Sequence, residues 1–121
     1  MPNDTSTNPF KDLEDRTTRF ARDVILLCRE LPRGVVEQEL IKQVVRAAGS
    51  VGANYREANE TVGKKDFGYR IRIARKEAKE CEHWLVLIAQ TCAGFEDKTQ
   101  KLVNEGRELR NIFSAILKKA V

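Results

Sequence analysis

The feature that most constrains this chain is a spacing of core-type residues that occurs four times. In each of four segments, apolar or small side chains recur in alternating steps of four and three residues. The four sets are Leu13, Thr17, Phe20, Val24, Leu27 and Leu31; Ile41, Val44, Ala48, Val51, Tyr55 and Ala58; Phe67, Ile71, Ala74, Ala78, Cys81, Leu85 and Ile88; and Leu102, Gly106, Leu109, Phe113, Ile116 and Ala120. Steps of three and four place side chains on one face of a helix. The spacing therefore predicts four amphipathic helices and, since no segment alternates with a period of two, an all-α fold.

Turn-forming residues between these segments predict where the helices begin and end. Asp12 is placed to cap the first helix, and Pro32 with Gly34 separates that helix from the second. Gly63 separates the second helix from the third, and Gly94 stands where a left-handed residue would end the third. The predicted helices span residues of about 12–31, 35–60, 64–93 and 97–120.

The connections between the predicted helices are short. Short connections make consecutive helices antiparallel neighbours, which is the arrangement of an up-and-down four-helix bundle. Asp97 and Gln100 resemble a capping box at the start of the fourth helix. We therefore predict one bundle domain over residues 12–121, preceded by a flexible, polar tail over residues 1–11.

The composition excludes several classes of protein. A chain of 121 residues suits one domain, and 41% hydrophobic with 33% charged residues supports a packed core rather than disorder. Charged residues interrupt every apolar run before the ~18 residues that a membrane span requires. The polar N-terminus also lacks the apolar stretch of a secretory signal. We expect a cytoplasmic protein that does not associate with a membrane.

Neither the cysteines nor the single histidine indicate a reactive site. Cys28, Cys81 and Cys92 show no C-x-x-C spacing, and His83 has no cysteine partner at ligand spacing. No nucleophile stands with a histidine base in a recognisable catalytic motif. We therefore expect no disulfide framework, no metal, no cofactor and no enzymatic activity.

The second predicted helix carries a run of small residues in its middle, including Gly49, Gly52 and Ala53. An interior glycine costs about 1 kcal/mol relative to alanine, so two of them indicate a close approach of another backbone. Either this helix packs tightly inside its own bundle, or it contacts another subunit at this point.

A polar stripe lies opposite the apolar face of the same helix. Its members are Gln43, Arg46, Ser50, Asn54 and Glu57. They are either solvent-exposed or meet polar partners across a helix or subunit contact. For Arg46, which stands among small residues, we predict partial burial and an ion pair with an acidic residue of the third helix, Glu77 being the first candidate. Glu77 and Glu80 are interpreted as ion-pair partners rather than metal ligands, because no histidine follows at the spacing of a bundle metal site.

The third predicted helix has a second apolar stripe, formed by Tyr69, Ile73, Trp84 and Leu87. At 100° per residue this second stripe lies roughly 120° from the core stripe of the same helix. A helix in a four-helix bundle needs one core face, so a second face that holds the only tryptophan favours a self-association surface. The alternative is a wide core stripe with Trp84 at its edge.

The third helix also concentrates positive charge. Residues 64–79 contain seven cations and two anions, whereas the whole chain has a net charge of +4. The cations that fall on one side of this helix, away from both apolar stripes, are Lys65, Arg72, Arg75, Lys76 and Lys79. This basic ridge would run for about 21 Å at helical rise, which is long enough to follow a phosphate backbone. The alternative is a solvated helix face with no ligand.

Two motifs of the chain resemble a known family. The first is the run from Gln43 to Ala58, QVVRAAGSVGANYREA, and the second is KDF at 65–67 followed by Ile71, Ala74, Glu77, Glu80, Trp84 and Leu85. Both resemble the signature of the four helix bundle family named for proteins encoded in intervening sequences of 23S ribosomal RNA genes. The resemblance extends from about Leu13 to Gln90.

The resemblance implies a left-handed cytoplasmic bundle that assembles into a homopentamer. It also implies a basic protein associated with nucleic acid and without an established activity. A relative of this family is the accessory subunit of retroelement reverse transcriptases. The positions that match the family signature are Arg46, Ser50, Asn54, Glu57, Glu77 and Glu80. The resemblance carries them over as structural residues only.

Two functions follow as expectations. The first is a non-enzymatic homo-oligomeric bundle that binds RNA or DNA backbone through the basic ridge. The second is a protein-interaction scaffold or accessory subunit, for example of a reverse transcriptase, that does not bind nucleic acid directly.

Overall fold

The computed structural model describes residues 8–120 of the chain. Four helices occupy nearly all of this range: α1 (Pro9–Glu30), α2 (Val35–Glu60), α3 (Lys64–Thr91) and α4 (Glu96–Ala120). No strand occurs in the same range, so the predicted all-α fold with four helices is confirmed. Most of the predicted N-terminal tail, residues 1–7, lies outside the described residues.

The first helix begins earlier than predicted. Asn8 is its N-cap, and the side-chain oxygen of Asn8 accepts hydrogen bonds from the backbone N–H groups of Phe10 at 3.0 Å and Lys11 at 3.2 Å. Pro9 occupies the first helical position, where its missing N–H leaves no hydrogen bond unmade. The prediction that Asp12 caps α1 is therefore wrong. Asp12 lies in the first turn instead, where its negative charge favours the positive end of the helix dipole.

Two glycines next to helix ends have a positive φ angle. Gly63, just before α3, has a φ of 96°, and Gly94, between α3 and α4, has a φ of 92°. Side chains with a Cβ rarely adopt these angles, so glycine is the residue that lets the chain reverse direction here. The positive φ predicted for Gly94 is confirmed, but α3 ends at Thr91 with Cys92 as its C-cap, so Gly94 lies in the turn after the helix rather than at its end.

The start of α4 differs from the predicted capping box. The backbone carbonyl of Phe95 accepts a hydrogen bond from the N–H of Thr99 at 3.0 Å, which makes Phe95 the residue that precedes the helix. Asp97 is consequently inside the first turn rather than at the cap. The side chain of Gln100 does not return to the cap but donates to Asn104 at 2.9 Å.

The helices pack in the cyclic order of an up-and-down bundle. α3 packs extensively against both α2 and α4, whereas α1 packs mainly against α2 and less against α4. Within the described range, the backbones of the diagonal pairs α1 with α3 and α2 with α4 do not come close, although the core rings of Tyr55 on α2 and Phe113 on α4 stand 5.9 Å apart. The α1–α4 seam is closed on its outer side by Arg16, which donates to Glu105 at 2.7 and 2.8 Å. The predicted four-helix bundle is therefore confirmed.

The core consists largely of the residues that recur with steps of four and three. Phe20, Val24, Tyr55, Leu85 and Phe113 are among its largest fully buried side chains. Predicted core positions that remain only partly buried are Ile41, Phe67 and Ile116. None of the helices in the described range combines the length and the apolar character that a membrane span requires.

The small residues of α2 divide into two environments. A Cβ added at Gly52 would lie 2.9 Å from the side-chain oxygen of Thr17 on α1, so Gly52 allows α1 and α2 to approach closely. Thr17 is fully buried, and its hydroxyl donates to the backbone carbonyl of Glu14 at 2.9 Å. A Cβ added at Gly49 would meet no atom within 4 Å. Packing inside the bundle therefore explains Gly52 but leaves Gly49 without an explanation.

Candidate nucleic-acid interface

The basic ridge lies on the outer side of α3. Lys65, Arg72, Lys76 and Lys79 are exposed, and Arg75 is half-buried at the edge towards α4. The first and last members are fourteen residues apart on one continuous helix, which corresponds to about 21 Å. The helix therefore presents the five cations on one side, within about 100° of its circumference.

Most of this positive charge is not neutralised inside the chain. Lys76 pairs with Glu80 at 3.7 Å, and Arg75 donates a hydrogen bond to the hydroxyl of Ser114 on α4 at 3.4 Å. Among the described residues, no carboxylate oxygen lies within ion-pair distance of Lys65, Arg72 or Lys79. Three of the five cations are thus available to an external anion.

The α3–α4 seam beside the ridge is held by a buried carboxylate. Glu82 is 8% exposed and accepts hydrogen bonds from Arg110 at 2.8 and 3.1 Å. A second guanidinium, that of Arg107, lies 3.9 Å from the same carboxylate. The hydrogen bond with Glu82 raises the pKa of Arg110 above its ordinary value. Because two arginines share one carboxylate, the seam adds positive charge next to the ridge rather than cancelling it.

The spacing of core residues did not predict this Glu82 cluster. The available signal is positional: Glu82 follows the core residue Cys81, and Arg110 follows the core residue Leu109. Both charged residues therefore border the apolar face of their helix, where a charge is partly desolvated and needs a partner. Which arginine faces which carboxylate depends on the rotation of α4 about its axis, and the sequence pattern does not determine this rotation.

The α2–α3 seam contains the ion pair that was predicted for Arg46. The guanidinium of Arg46 lies 3.5 Å from a carboxylate oxygen of Glu77 and 3.5 Å from one of Glu80. Glu77 as partner is therefore confirmed. The side chain of Arg46, which was predicted to be partly buried, is 54% exposed and thus about half covered, whereas that of Glu77 is only 11% exposed. The arginine reaches over the edge of the seam from outside, so the buried member of the pair is the carboxylate.

The remaining signature residues of α2 have separate roles. Asn54 accepts a hydrogen bond from Arg70 of α3 at 3.2 Å and donates to the backbone carbonyl of Ser50 at 2.9 Å. Glu57 is exposed. The polar stripe of α2 is therefore partly a set of contacts to α3, through Arg46 and Asn54, and partly a solvent-facing surface.

The second stripe of α3 is only partly covered. Tyr69 is 58% exposed, and Ile73 and Leu87 are half-buried. Trp84 is half-buried and packs against the core, and the ring of His83 stands edge-on to it with a centroid separation of 5.0 Å. Trp84 thus has contacts inside the bundle, and the assignment of the stripe to a subunit interface stays a prediction.

The cysteines are held in the core as thiols. Cys28, Cys81 and Cys92 are all buried and free. Burial raises the pKa of Cys28 to about 11 and that of Cys81 to about 12. A thiol with so high a pKa is a poor nucleophile at neutral pH, since the thiolate is the reactive form. No cluster of three or more potential metal ligands occurs in the part of the chain that the structure describes.

The fold and the charged seams define an antiparallel four-helix bundle with a basic outer helix face. Over residues 12–115 the chain matches the family of the 23S rRNA-intervening sequence protein, and it belongs to this family. The resemblance read from the two motifs is thereby confirmed.

One solved structure shows the same fold. It is the crystal structure of a protein of unknown function from the S23 ribosomal protein family of Bacteroides thetaiotaomicron VPI-5482. That protein is 32% identical to this chain, the match covers 88% of this chain and 98% of the other, and the TM-score is 0.77. No curated protein matches the chain.

Proposed function

We propose that this protein is a non-enzymatic subunit of a cytoplasmic homo-oligomer that binds the sugar-phosphate backbone of RNA or DNA through the basic ridge. The pentameric state comes from the family resemblance. The second stripe of α3 is the surface through which the subunits associate. The ridge borders the stripe, since Lys76 and Lys79 line one depression with Trp84, and assembly would repeat the ridge around the oligomer.

The unpaired cations of the ridge carry this proposal. Lys65, Arg72 and Lys79 follow one another at intervals of seven residues, or about 10.5 Å. That interval equals the rise of about three base pairs along a duplex. Each cation that meets a phosphate releases condensed counterions, so binding of this kind tolerates any sequence and weakens strongly with salt.

The test compares two triple variants of equal charge. In the first variant, Gln replaces Lys65, Arg72 and Lys79 together. In the matched control the same change is made at Arg19, Arg33 and Lys101, which are exposed cations outside the ridge with no ion pair in the described range. Binding to a single-stranded RNA and to a DNA duplex is measured by fluorescence anisotropy between about 50 and 200 mM salt.

If each ridge cation meets one phosphate, the ridge variant should lose about 2.7 from the slope of log affinity against log salt on duplex DNA and about 2.1 on a single strand. The control variant should keep most of the slope. Equal losses in both variants would show that only net charge matters, and binding by the ridge variant with the parent's slope would refute the ridge as the site.

The second candidate function is a protein-interaction scaffold or accessory subunit, for example of a reverse transcriptase. The exposure of Tyr69 favours it, because an aromatic side chain that is 58% exposed suits a protein contact. Absence of any nucleic-acid binding by the parent at low salt, together with a stable oligomer, would select this function.

A further inference from the structure

The basic ridge of α3 continues beyond its last cation into an aromatic side chain. His83 follows Lys65 by eighteen residues, which is about five complete turns of an α-helix. The two side chains therefore leave α3 in the same direction, and His83 lies one turn beyond Lys79 on the side that the ridge occupies. The side chain of His83 is exposed. A ligand that follows the free cations of the ridge therefore reaches an imidazole ring at the end of the row.

A depression in the surface of α3 lies beside this imidazole ring. Its lining consists of Lys76, Lys79, Glu80, His83 and Trp84, and its volume is about 320 Å³. A cavity of about 150 Å³ already accommodates a benzene molecule. The depression therefore has room for a flat ring of the size of a nucleobase, with two cations and two aromatic side chains around it.

Trp84 supports the imidazole ring from one side. The ring of His83 stands edge-on to that of Trp84, with the centroids 5.0 Å apart and the planes at 63°. Aromatic pairs favour this edge-to-face arrangement. Trp84 itself packs against the core of the bundle, so it holds the exposed imidazole against a fixed surface. The contact uses at most one face of the imidazole, and the other face is left for a further ring.

The charges around the depression favour an anionic ligand. Glu80 is the one acidic residue of the lining. Its carboxylate already has two cations as partners, Arg46 at 3.5 Å and Lys76 at 3.7 Å. Lys79 has no such carboxylate partner among the described residues and lies one turn before His83. A phosphate at Lys79 would thus stand next to an aromatic ring on which a base can stack.

From this arrangement we infer that His83 is a base-stacking platform and that the ridge consequently prefers single-stranded nucleic acid. This inference rests on the proposed function and names the kind of strand that the ridge binds. Proteins that bind single strands without sequence preference combine cations along the backbone with aromatic rings on which bases stack. The bases of a duplex are stacked on one another, and turning one out is costly. His83 rather than Trp84 is the platform, because Trp84 belongs to the stripe through which the subunits are proposed to associate.

The test combines two substitutions at His83 with ligands that differ in their bases. His83→Ala removes the ring, whereas His83→Phe keeps an aromatic ring without the imidazole nitrogens. Phe10→Ala, at an aromatic side chain of α1 that is 55% exposed, is the matched control. The ligands are an oligothymidine of about 16 nucleotides and its RNA counterpart, an oligouridine of the same length. An abasic strand of this length keeps the phosphates but lacks the bases, and a DNA duplex keeps the bases stacked inside.

The affinity of His83→Ala for the oligothymidine and the oligouridine should be lower than that of the parent by at least about fivefold, and His83→Phe should restore most of it. The slope of log affinity against log salt should stay the same, because no phosphate contact is removed. Affinity for the abasic strand and for the duplex should not change in either variant, and Phe10→Ala should change none of the affinities. Because Trp84 is the one tryptophan of the chain, saturation with the oligothymidine should also alter its fluorescence, and saturation with the duplex should not.

The outcomes separate this inference from the proposed function. A parent without salt-dependent binding to any of these ligands would overturn both. If His83→Ala binds every ligand like the parent, while the triple Gln variant of the ridge loses its salt slope, the ridge stands and the platform is refuted. Equal losses on the intact and the abasic strand would show that His83 contacts the backbone, and tighter binding of the parent to the duplex than to the single strand would refute the preference. Circular dichroism verifies that each variant is folded.

Discussion

The two glycines of α2 should respond in opposite directions to the same substitution. Gly49→Ala is expected to stabilise the folded chain, and Gly52→Ala to leave it unchanged or destabilise it. The reason is the difference in their surroundings: a Cβ at Gly49 meets open space, whereas a Cβ at Gly52 meets the oxygen and the Cβ of Thr17 at 2.9 and 3.2 Å.

The magnitudes follow from two opposing contributions. Alanine is more favourable than glycine in a helix interior by about 1 kcal/mol, and this gain applies at both positions. Forcing an extra methyl into a packed interior costs about 1 to 3 kcal/mol, and this cost applies at Gly52 alone. The free energy of unfolding should therefore rise by about 1 kcal/mol for Gly49→Ala, and fall by up to about 2 kcal/mol for Gly52→Ala. The difference between the two variants measures the close approach of α1 and α2 directly.

Urea unfolding followed by circular dichroism is the suitable assay. It should be repeated at several protein concentrations, because self-association would add a concentration-dependent contribution to stability. In a thermal melt, a change of 1 kcal/mol corresponds to about 3 to 5 °C for a domain of this size.

A third substitution tests the cause of the expected difference. Thr17→Ala removes the oxygen that the new methyl would meet, so Gly52→Ala should cost about 1 kcal/mol less in that background. Gly49→Ala should show no such coupling to Thr17. Equal effects of alanine at both glycines, or coupling of Thr17 to neither, would refute the assignment of Gly52 to helix packing.

Further predictions concern the charged residues at the core boundary and two thiols inside the core. Arg110→Ala should lower the free energy of unfolding by up to about 3 kcal/mol in urea titrations, because the buried carboxylate of Glu82 loses both of its hydrogen bonds and keeps only Arg107 at 3.9 Å. Loss of the half-exposed Arg46 should cost about 1 kcal/mol or less. Because burial raises the pKa of Cys28 to about 11 and of Cys81 to about 12 from an ordinary 9.0, both thiols ionise first in the unfolded chain. Their contribution to stability is complete below pH 9.0 and is lost as the pH rises towards 12. When both cysteines are replaced by alanine, the free energy of unfolding should fall less steeply as the pH rises above 9.0. An unchanged decrease would contradict this.

The features predicted correctly from the sequence depend on helix periodicity. Steps of three and four indicate which side of each helix faces the core. The core of four helices and the outward position of Arg72 could therefore be predicted from the sequence. The ion pair of Arg46 with Glu77 could also be predicted, because the α2–α3 turn is short and sets the register of the two helices. That the carboxylate is the more deeply buried partner could not be predicted, because it depends on how far the arginine side chain reaches around the seam.

The features that were missed depend on distances between helices. The pairing of Glu82 with Arg110 requires the rotation of α4 against α3, which neither helix specifies alone. The different environments of Gly49 and Gly52 require the crossing of α1 over α2. The start of α1 was misplaced for another reason: the polar composition around Asn8 suggested a tail, although an asparagine before a proline is also a good beginning for a helix.

The weak seam between α1 and α4 has a consequence for local opening of the molecule. α1 is attached mainly through α2, so it can separate with the loss of less packed surface than any release of α3 would require. Backbone amides of α1 should consequently exchange with solvent through openings that cost less than global unfolding, while those of α3 exchange only when the whole bundle unfolds.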